Sequence, residues 1–242
     1  MAKAKKNAVS TNNTLVKQKP SEMCPPGYHV VQGHERDCKF GTVTWVDAHI
    51  RRNRGKIRPG LLKENIYFIF WNSKKKYSSL AEIKGYEGKG AEYDELIQFW
   101  LDYWKSQGIE LPKDLDPLLI KAMIAVESTF NPNAIAKSKI SSAAGLMQIT
   151  DQSLRVMGGF PNKKKWIEMR NHLIHVEKTD KFDPVVSVAM GVRLLGLKWS
   201  QIKDPKKKNI RQLVRDYHSR DEEGDNYAEK VLSLYEKSRK KK

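Results

Sequence analysis

The sequence has few cysteines, no long apolar run and no excess of acidic residues, and each shortage excludes a class of protein. Two cysteines, Cys24 and Cys38, are too few for the framework of a disulfide-rich secreted domain. The apolar run over residues 66–71 is far shorter than the roughly 20 residues that a membrane-spanning helix requires. We therefore expect a protein without a membrane span.

Basic residues are plentiful. There are 45 lysines and arginines against 28 aspartates and glutamates, which gives a formal net charge of +17. Such a chain is attracted to anionic partners, and nucleic acid, acidic lipid surfaces and the bacterial cell wall all qualify. Residues 1–20 are basic but lack the apolar segment of a secretory signal, so a target outside the cytoplasm would require another export route.

The two cysteines leave three alternatives open. Both thiols are reduced, or a disulfide closes the loop between them, or a zinc ion binds them with some of His29, His34 and His49. The spacing contains none of the paired ligands typical of tetrahedral zinc sites. We therefore assign no metal and no cofactor.

Composition and periodicity divide the chain into segments. Short β-branched and aromatic runs separated by glycines, at residues 28–32, 43–46 and 66–71, predict strands and turns. Three glycines then mark a linker, after which the apolar period becomes helical. The predicted division is a basic tail (1–22), a small β-rich module (23–84), a linker (85–91), a helical domain (92–238) and a basic tail (239–242).

The helical domain carries clear helix signals. An apolar stripe with helical spacing, at Ile97, Trp100, Leu101 and Trp104, predicts a core-facing helix. A capping residue begins each further helix. These are Asp116 before 117–126, Asp183 before 184–199, Asn209 before 210–217, and Asp225 or Asn226 before a helix that ends near 237. The predicted fold class is mainly α with a small N-terminal β module.

One carboxylate has an unusual position. Glu127 follows an almost entirely apolar helical stretch, residues 118–126, and precedes a helix-breaking Asn131-Pro132 pair. Burial and the negative end of the helix dipole both disfavour a charged carboxylate, so we expect a raised pKa. A carboxyl group that stays protonated near neutral pH can act as a general acid, for example on a glycosidic oxygen. The alternative is an ordinary surface glutamate.

Two motifs around Glu127 resemble a known family. Residues 127–134 read E-S-T-F-N-P-N-A and residues 144–150 read A-G-L-M-Q-I-T. These segments resemble the core motifs of soluble lytic transglycosylases and goose-type lysozymes, glycoside hydrolase family 23. The family's helical D-P segment is similar to residues 183–195, and its two later motifs are similar to residues 213–219 and 225–231. The resemblance implies a lysozyme-like α-helical catalytic domain.

The resemblance also implies roles for individual residues. Glu127 corresponds to the family's catalytic acid and base. The second motif corresponds to the wall of the glycan cleft, with the amide of Gln148 binding sugar substituents and Met147 packing against a sugar face. The implied substrate-binding residues are Ser128, Gly145, Leu146, Met147, Gln148, Tyr217 and Tyr227.

The sequence departs from the family pattern at several positions, and it does not match the glycine of the motif similar to residues 213–219. Ser187 and His218 stand where the family usually has asparagine, and His218 is expected to change how substrate sits in the cleft or how the second step proceeds. The alternative for His218 is a solvated histidine at a helix end. His172 and His175 lie in an insertion, residues 161–179, and receive no role.

The resemblance implies a muramidase that cuts MurNAc-β-1,4-GlcNAc bonds in peptidoglycan glycan strands and forms a 1,6-anhydro product. A hydrolytic lysozyme and a non-catalytic basic protein that binds glycan or nucleic acid are the alternatives. We expect synthesis in the cytoplasm and action in the periplasm or at the cell wall. The N-terminal module would bind a secretion machine or a phage structural protein, and an immunity protein is a further expected partner.

Overall fold

The computed structural model describes residues 22–37, 43–53, 60–138 and 140–239. This part of the chain is mainly α with a small N-terminal β module, as the sequence predicts. The strands are β1 (Tyr28–Val31), β2 (His34–Asp37), β3 (Val43–Val46), β4 (His49–Arg52), β5 (Gly60–Leu61) and β6 (Leu173–Ile174). The helices are α1 (Lys63–Trp71), α2 (Asp94–Ser106), α3 (Pro117–Ser128), α4 (Asp151–Met157), α5 (Pro184–Gln201), α6 (Ile210–His218) and α7 (Glu222–Arg239).

The first four strands form an interrupted antiparallel hairpin. β1 pairs with β4 and β2 pairs with β3, so that Val30 faces Ile50 and Glu35 faces Trp45. The predicted strands at residues 28–32 and 43–46 are confirmed, and β2 and β4 complete the ladders. Most side chains of the hairpin are exposed, including Ile50 and Trp45. The hairpin therefore adds little to the hydrophobic core.

Asn65 holds the base of this hairpin. Its Nδ2 donates to the carbonyl oxygens of Cys24, Pro25 and Tyr28, at 2.9, 3.0 and 3.1 Å. Cys24 is a buried free thiol whose Sγ donates to Tyr28 O, and burial raises its pKa to about 11. Cys38, the partner in the disulfide and zinc alternatives, lies outside the described residues. Within the described ranges, no group of three or more histidine, cysteine or acidic side chains could hold a metal ion.

The strand predicted at residues 66–71 is wrong, because these residues lie in helix α1. A short apolar run has no periodicity that separates a buried strand from a buried helix. The side chain of Asn65 accepts a hydrogen bond from the backbone N–H of Leu62 at 2.9 Å and so favours a helical start. Ile66 and Phe70, four residues apart, then face the same hydrophobic core as the later helices.

The predicted capping residues begin three of the later helices. Asp116 accepts from Leu118 N at 2.8 Å at the start of α3, and Asp183 and Asn209 cap α5 and α6 in the same way. The predicted start of the last helix is wrong by four or five residues, since α7 begins at Glu222. Asp221 accepts from the third backbone N–H beyond it, that of Gly224, and so caps the earlier start.

Helix α5 lies at the centre of the domain and packs against α1, α2, α4 and α6. The predicted stripe on α2 is buried, and Trp104 of that stripe donates its indole N–H to Ala189 O of α5 at 2.9 Å. Helix α7 packs against both α3 and α6, which brings the end of α3 next to two tyrosine-bearing helices. None of the helices in the described ranges has the length and apolar character of a membrane span.

Candidate active site

Glu127 lies at the C-terminal end of a helix that is otherwise buried. Residues 118–125 of α3 are all buried, whereas Glu127 is only partly so. The helix ends because Thr129 and Phe130 both adopt left-handed backbone angles, with φ of 54° and 63°. Phe130 is fixed in this turn by Gly90, where an added Cβ would lie 2.3 Å from the phenylalanine ring. The turn therefore holds the carboxylate at one place in the fold.

The surroundings of Glu127 favour its protonated form. Loss of hydration raises the pKa of this carboxyl to about 7, although the nearby Tyr227 hydroxyl and the charge of Lys230 both act to lower it. Among the described acids, Asp94 also has a raised pKa, but it is held in a buried ion pair with Lys121 at 2.7 Å. Glu127 is thus the described carboxyl that combines partial exposure with a pKa near neutrality.

Two buried tyrosines lie beside Glu127. Burial and the Glu127 charge raise the pKa of both Tyr217 and Tyr227, so both phenols stay protonated. Tyr217 donates its hydroxyl to Met147 O at 2.8 Å, which links the neighbourhood of Glu127 to the second sequence motif. Within the described part of the chain, Tyr227 Oη has no hydrogen-bond partner in normal geometry, although it lies close enough to perturb Glu127. It is therefore a donor available to the carboxylate.

The second motif forms a tight turn around Gly145. This residue has φ of 80°, and a Cβ added there would lie only 1.8 Å from Lys181 O. Its backbone N–H donates to Ala134 O at 2.8 Å, and Ala144 bridges Ile135 and Ile149. The end of the first motif and the second motif are therefore held together by backbone hydrogen bonds. Residue 145 must therefore be a glycine because the backbone of Lys181 packs against it.

Three side chains predicted to bind substrate are buried in the core. Leu146 and Met147 have no exposed surface, and Ser128 is 5% exposed and donates its hydroxyl to Ile124 O at 3.0 Å. Met147 packs against Gly191, where an added Cβ would lie 2.5 Å from Met147 Cε. The prediction that Met147 packs against a sugar face is therefore wrong. The side chains of Leu146 and Met147 pack inward, and the Met147 carbonyl anchors Tyr217.

The amide of Gln148 is also partly engaged. Gln148 has a left-handed backbone with φ of 46°, and its Nε2 donates to Ala134 O and Gly145 O at 3.2 and 3.0 Å. The prediction that this amide donates to substrate is wrong for the described conformation, because both donors stabilise the turn. A substrate could use only the Oε1 acceptor without breaking these bonds.

Two further residues lie beside the site, and only one of them, His218, was identified from the sequence. Lys230 lies three residues beyond Tyr227 on α7 and acts on Glu127 through its charge, and helical spacing was the signal that could have identified it. His218 is exposed, and its ring stacks on Tyr227 with centroids 4.7 Å apart and an interplanar angle of 13°. It is therefore not simply a solvated histidine at a helix end.

Ser187 takes the place of the family asparagine beneath the second motif. Its Oγ accepts a hydrogen bond from Met147 N at 3.3 Å and lies 3.0 Å from the Cβ position of Gly145. Burial lowers the pKa of both His172 and His175, the two histidines of the predicted insertion. Neither is among the groups that perturb Glu127.

A comparison with family models identifies the central part of the chain. Residues 106–222 match the family described as the Transglycosylase SLT domain. The chain contains a transglycosylase SLT domain. This match covers Glu127, the Gly145 turn and Tyr217, and it agrees with the resemblance carried by the two motifs. Tyr227 and Lys230 lie beyond its end, on helix α7. A search of curated proteins finds no match.

An SLT domain indicates a transglycosylase-type enzyme and suggests lytic transglycosylase activity on peptidoglycan. The mainly α architecture is consistent with this domain. Part of the site nevertheless comes from outside the matched residues, because α7 supplies Tyr227 and Lys230. The group of side chains around Glu127 therefore extends beyond residue 222.

Proposed function

We propose that the protein cleaves the MurNAc-β-1,4-GlcNAc bonds of peptidoglycan with Glu127 as the only acid and base, and that it acts as a lytic transglycosylase. The observation that carries this proposal is a partly buried carboxyl with a pKa of about 7 beside two buried phenols. At neutral pH a substantial fraction of Glu127 then holds the proton that the first step requires.

In the first step, Glu127 transfers its proton to the oxygen that links the two sugars. The bond between this oxygen and the anomeric carbon of N-acetylmuramic acid breaks, and the positive charge that develops is stabilised by the substrate's own acetamido group. Glu127 becomes a carboxylate. The Tyr227 hydroxyl lies close enough to donate to this carboxylate, and the positive charge of Lys230 stabilises it further.

In the second step, the Glu127 carboxylate removes the proton of the C6 hydroxyl on the same muramic acid. The C6 oxygen bonds to the anomeric carbon, which gives a 1,6-anhydro ring and returns Glu127 to its protonated form. If water attacks instead, the same residues make a hydrolytic lysozyme. The two outcomes share every residue named above and differ only in the nucleophile.

The test is digestion of purified sacculi by the wild-type protein and by Glu127→Gln. We expect clearing of the suspension by the wild type and a loss of at least about a thousandfold in the variant, because glutamine cannot transfer a proton. The matched control is Glu110→Gln, an exposed glutamate that pairs with Lys208, and it should digest normally. Equal activity of wild type and Glu127→Gln would refute the proposal, and a non-catalytic binding protein would show no clearing at all.

Mass spectrometry of the soluble products separates the two reaction types. A lytic transglycosylase leaves muramic acid ends that are lighter by one water than those of a hydrolase. Products that all carry the hydrated end would show a lysozyme with the same catalytic residue.

We also propose that the N-terminal hairpin serves delivery to the periplasm or cell wall. Its support is the exposure of Val43 and Trp45 on one face of β3, which leaves apolar surface for a secretion machine or a phage structural protein. An immunity protein that covers the Glu127 site would be the matching partner if the protein is a secreted effector. Replacing Val43 and Trp45 by serine should abolish delivery while purified activity is kept, and unchanged delivery would contradict this role.

A further inference from the structure

The connection between α4 and β6 presents an exposed tip, residues 160–167, here called the Trp166 tip. Trp166 is 69% exposed and Phe160 is 53% exposed, and the three lysines between them, residues 163–165, are all exposed. The Arg155 guanidinium lies 5.9 Å from the centre of the Phe160 ring. The tip therefore combines two large apolar rings with several cations, and the site around Glu127 uses none of these residues.

The Trp166 tip is an ordered turn built around Asn162. The Asn162 side-chain oxygen accepts from the backbone N–H groups of Lys164 and Trp166, at 2.8 and 3.0 Å. The Asn162 backbone donates to Trp166 O at 2.8 Å, and Lys165 adopts a left-handed φ of 61°. These bonds fix the direction in which Trp166 projects, so little conformational entropy is lost when a partner covers it.

The residues that follow anchor this turn to the body of the domain. Glu168 accepts from the Asn162 side chain and from Gln201 at the end of α5. Met169 is buried in the hydrophobic core. Arg193 of α5 donates to Asn171 O at 3.1 Å. These hydrogen bonds and the buried Met169 side chain therefore fix the turn, with its exposed rings, on the body of the domain.

We propose that the Trp166 tip docks the protein on an anionic phospholipid surface. Indole rings favour the interface between headgroups and acyl chains, and lysines next to them are attracted to lipid phosphates. Residues 163–166 are all exposed, so the indole of Trp166 and the three lysines are accessible to a surface. An anionic bilayer offers both an apolar interfacial layer for the indole and phosphates for the lysines. The charge and the apolar ring of the tip are therefore complementary to such a surface.

The test is flotation of the full-length protein with vesicles that contain about 30% phosphatidylglycerol, compared with vesicles of phosphatidylcholine alone. One variant is Trp166→Ser and another replaces lysines 163–165 with glutamine. The matched controls are Trp45→Ser, which removes another exposed indole, and glutamine at lysines 206–208, which removes the same formal charge elsewhere. Clearing of sacculi is measured in parallel to show that each variant is folded.

We expect both tip variants to lower the partition coefficient into anionic vesicles by about tenfold or more. Each lysine near an anionic membrane surface raises this coefficient severalfold. The controls should change it by less than about twofold. The proposal is overturned if the wild type does not float with anionic vesicles, or if the two lysine triplets matter equally. It is also overturned if the tip variants weaken binding to sacculi or nucleic acid while vesicle binding is unchanged.

Discussion

Replacing Glu127 with glutamine should stabilise the folded protein at the same time as it abolishes cleavage. The wild-type fold holds this carboxyl where burial raises its pKa from 4.5 to about 7. Above pH 7 the folded protein must keep a carboxylate in a site that disfavours it, which corresponds to a cost of up to about 3 kcal/mol. Glutamine has a similar shape and no charge, so it removes this cost.

The size of this stability difference depends on pH. Below about pH 4.5 the carboxyl is protonated in both the folded and the unfolded chain, so the two proteins should be similarly stable. Between about pH 4.5 and 7 the unfolded chain loses its proton while the folded chain keeps it, and wild-type stability falls relative to the variant. Above pH 7 the difference is constant and at its largest.

The assay is urea unfolding of both proteins at several pH values between 4 and 9. Glu110→Gln is the control, because Lys208 lowers the pKa of Glu110 and its loss should give no gain in stability above neutral pH. A Glu127→Gln stability difference that does not grow between pH 4.5 and 7 would refute the reasoning, as would a variant less stable than wild type above pH 7.

The same pKa governs catalysis. The first step requires protonated Glu127, so kcat/KM should fall as the pH rises through about 7, by about tenfold for each further pH unit. Initial rates of sacculus clearing between pH 5 and 9 check this prediction. A rate that is flat across this range would show that another group donates the proton.

Three further changes have clear expected results. His218→Ala removes the ring stacked on Tyr227 and should lower kcat about tenfold, whereas His218→Phe keeps the stacked ring and should keep most of the wild-type kcat. If steady-state kinetics show equal losses of kcat in both variants, His218 has no stacking role. Gly145→Ala should lower the free energy of unfolding in urea by at least about 2 kcal/mol, because the new Cβ would clash with Lys181 O. A free energy of unfolding near that of the wild type would contradict this close approach. Removing residues 1–80 deletes α1 from the core and should unfold the domain. A chain that starts just before β5 keeps α1 and should stay folded and active, but its circular dichroism melting temperature should fall because the buried Asn65 amide loses its carbonyl partners.

The helices with a capping side chain and an apolar stripe were predictable from local sequence. Asp116, Asp183 and Asn209 each begin a helix with the bond that their side chains are known to make. Helix α1 was not predictable in this way. Its apolar run is short, and its helical form depends on Asn65, which also binds carbonyl groups about 40 residues earlier in the chain. Local pattern carries no information about such a contact.

The catalytic candidate was predictable and the roles of its neighbours were not. A carboxylate at the end of an apolar helix predicts a raised pKa, and the structure gives Glu127 that environment. The sequence could not tell that Met147 faces the core or that the Gln148 amide is used inside its own turn. Both facts depend on the left-handed backbone of Gly145 and Gln148, which turns the side chains of this motif inward.

The most direct test of the central claim is a carbon-13 NMR titration of the glutamate carboxyl groups in the wild-type protein and in Glu127→Gln. We expect one carboxyl resonance that titrates near pH 7 in the wild type and is missing from the variant. If every glutamate carboxyl of the folded wild type titrates near pH 4.5, Glu127 is an ordinary solvated acid and the proposed proton transfer loses its basis.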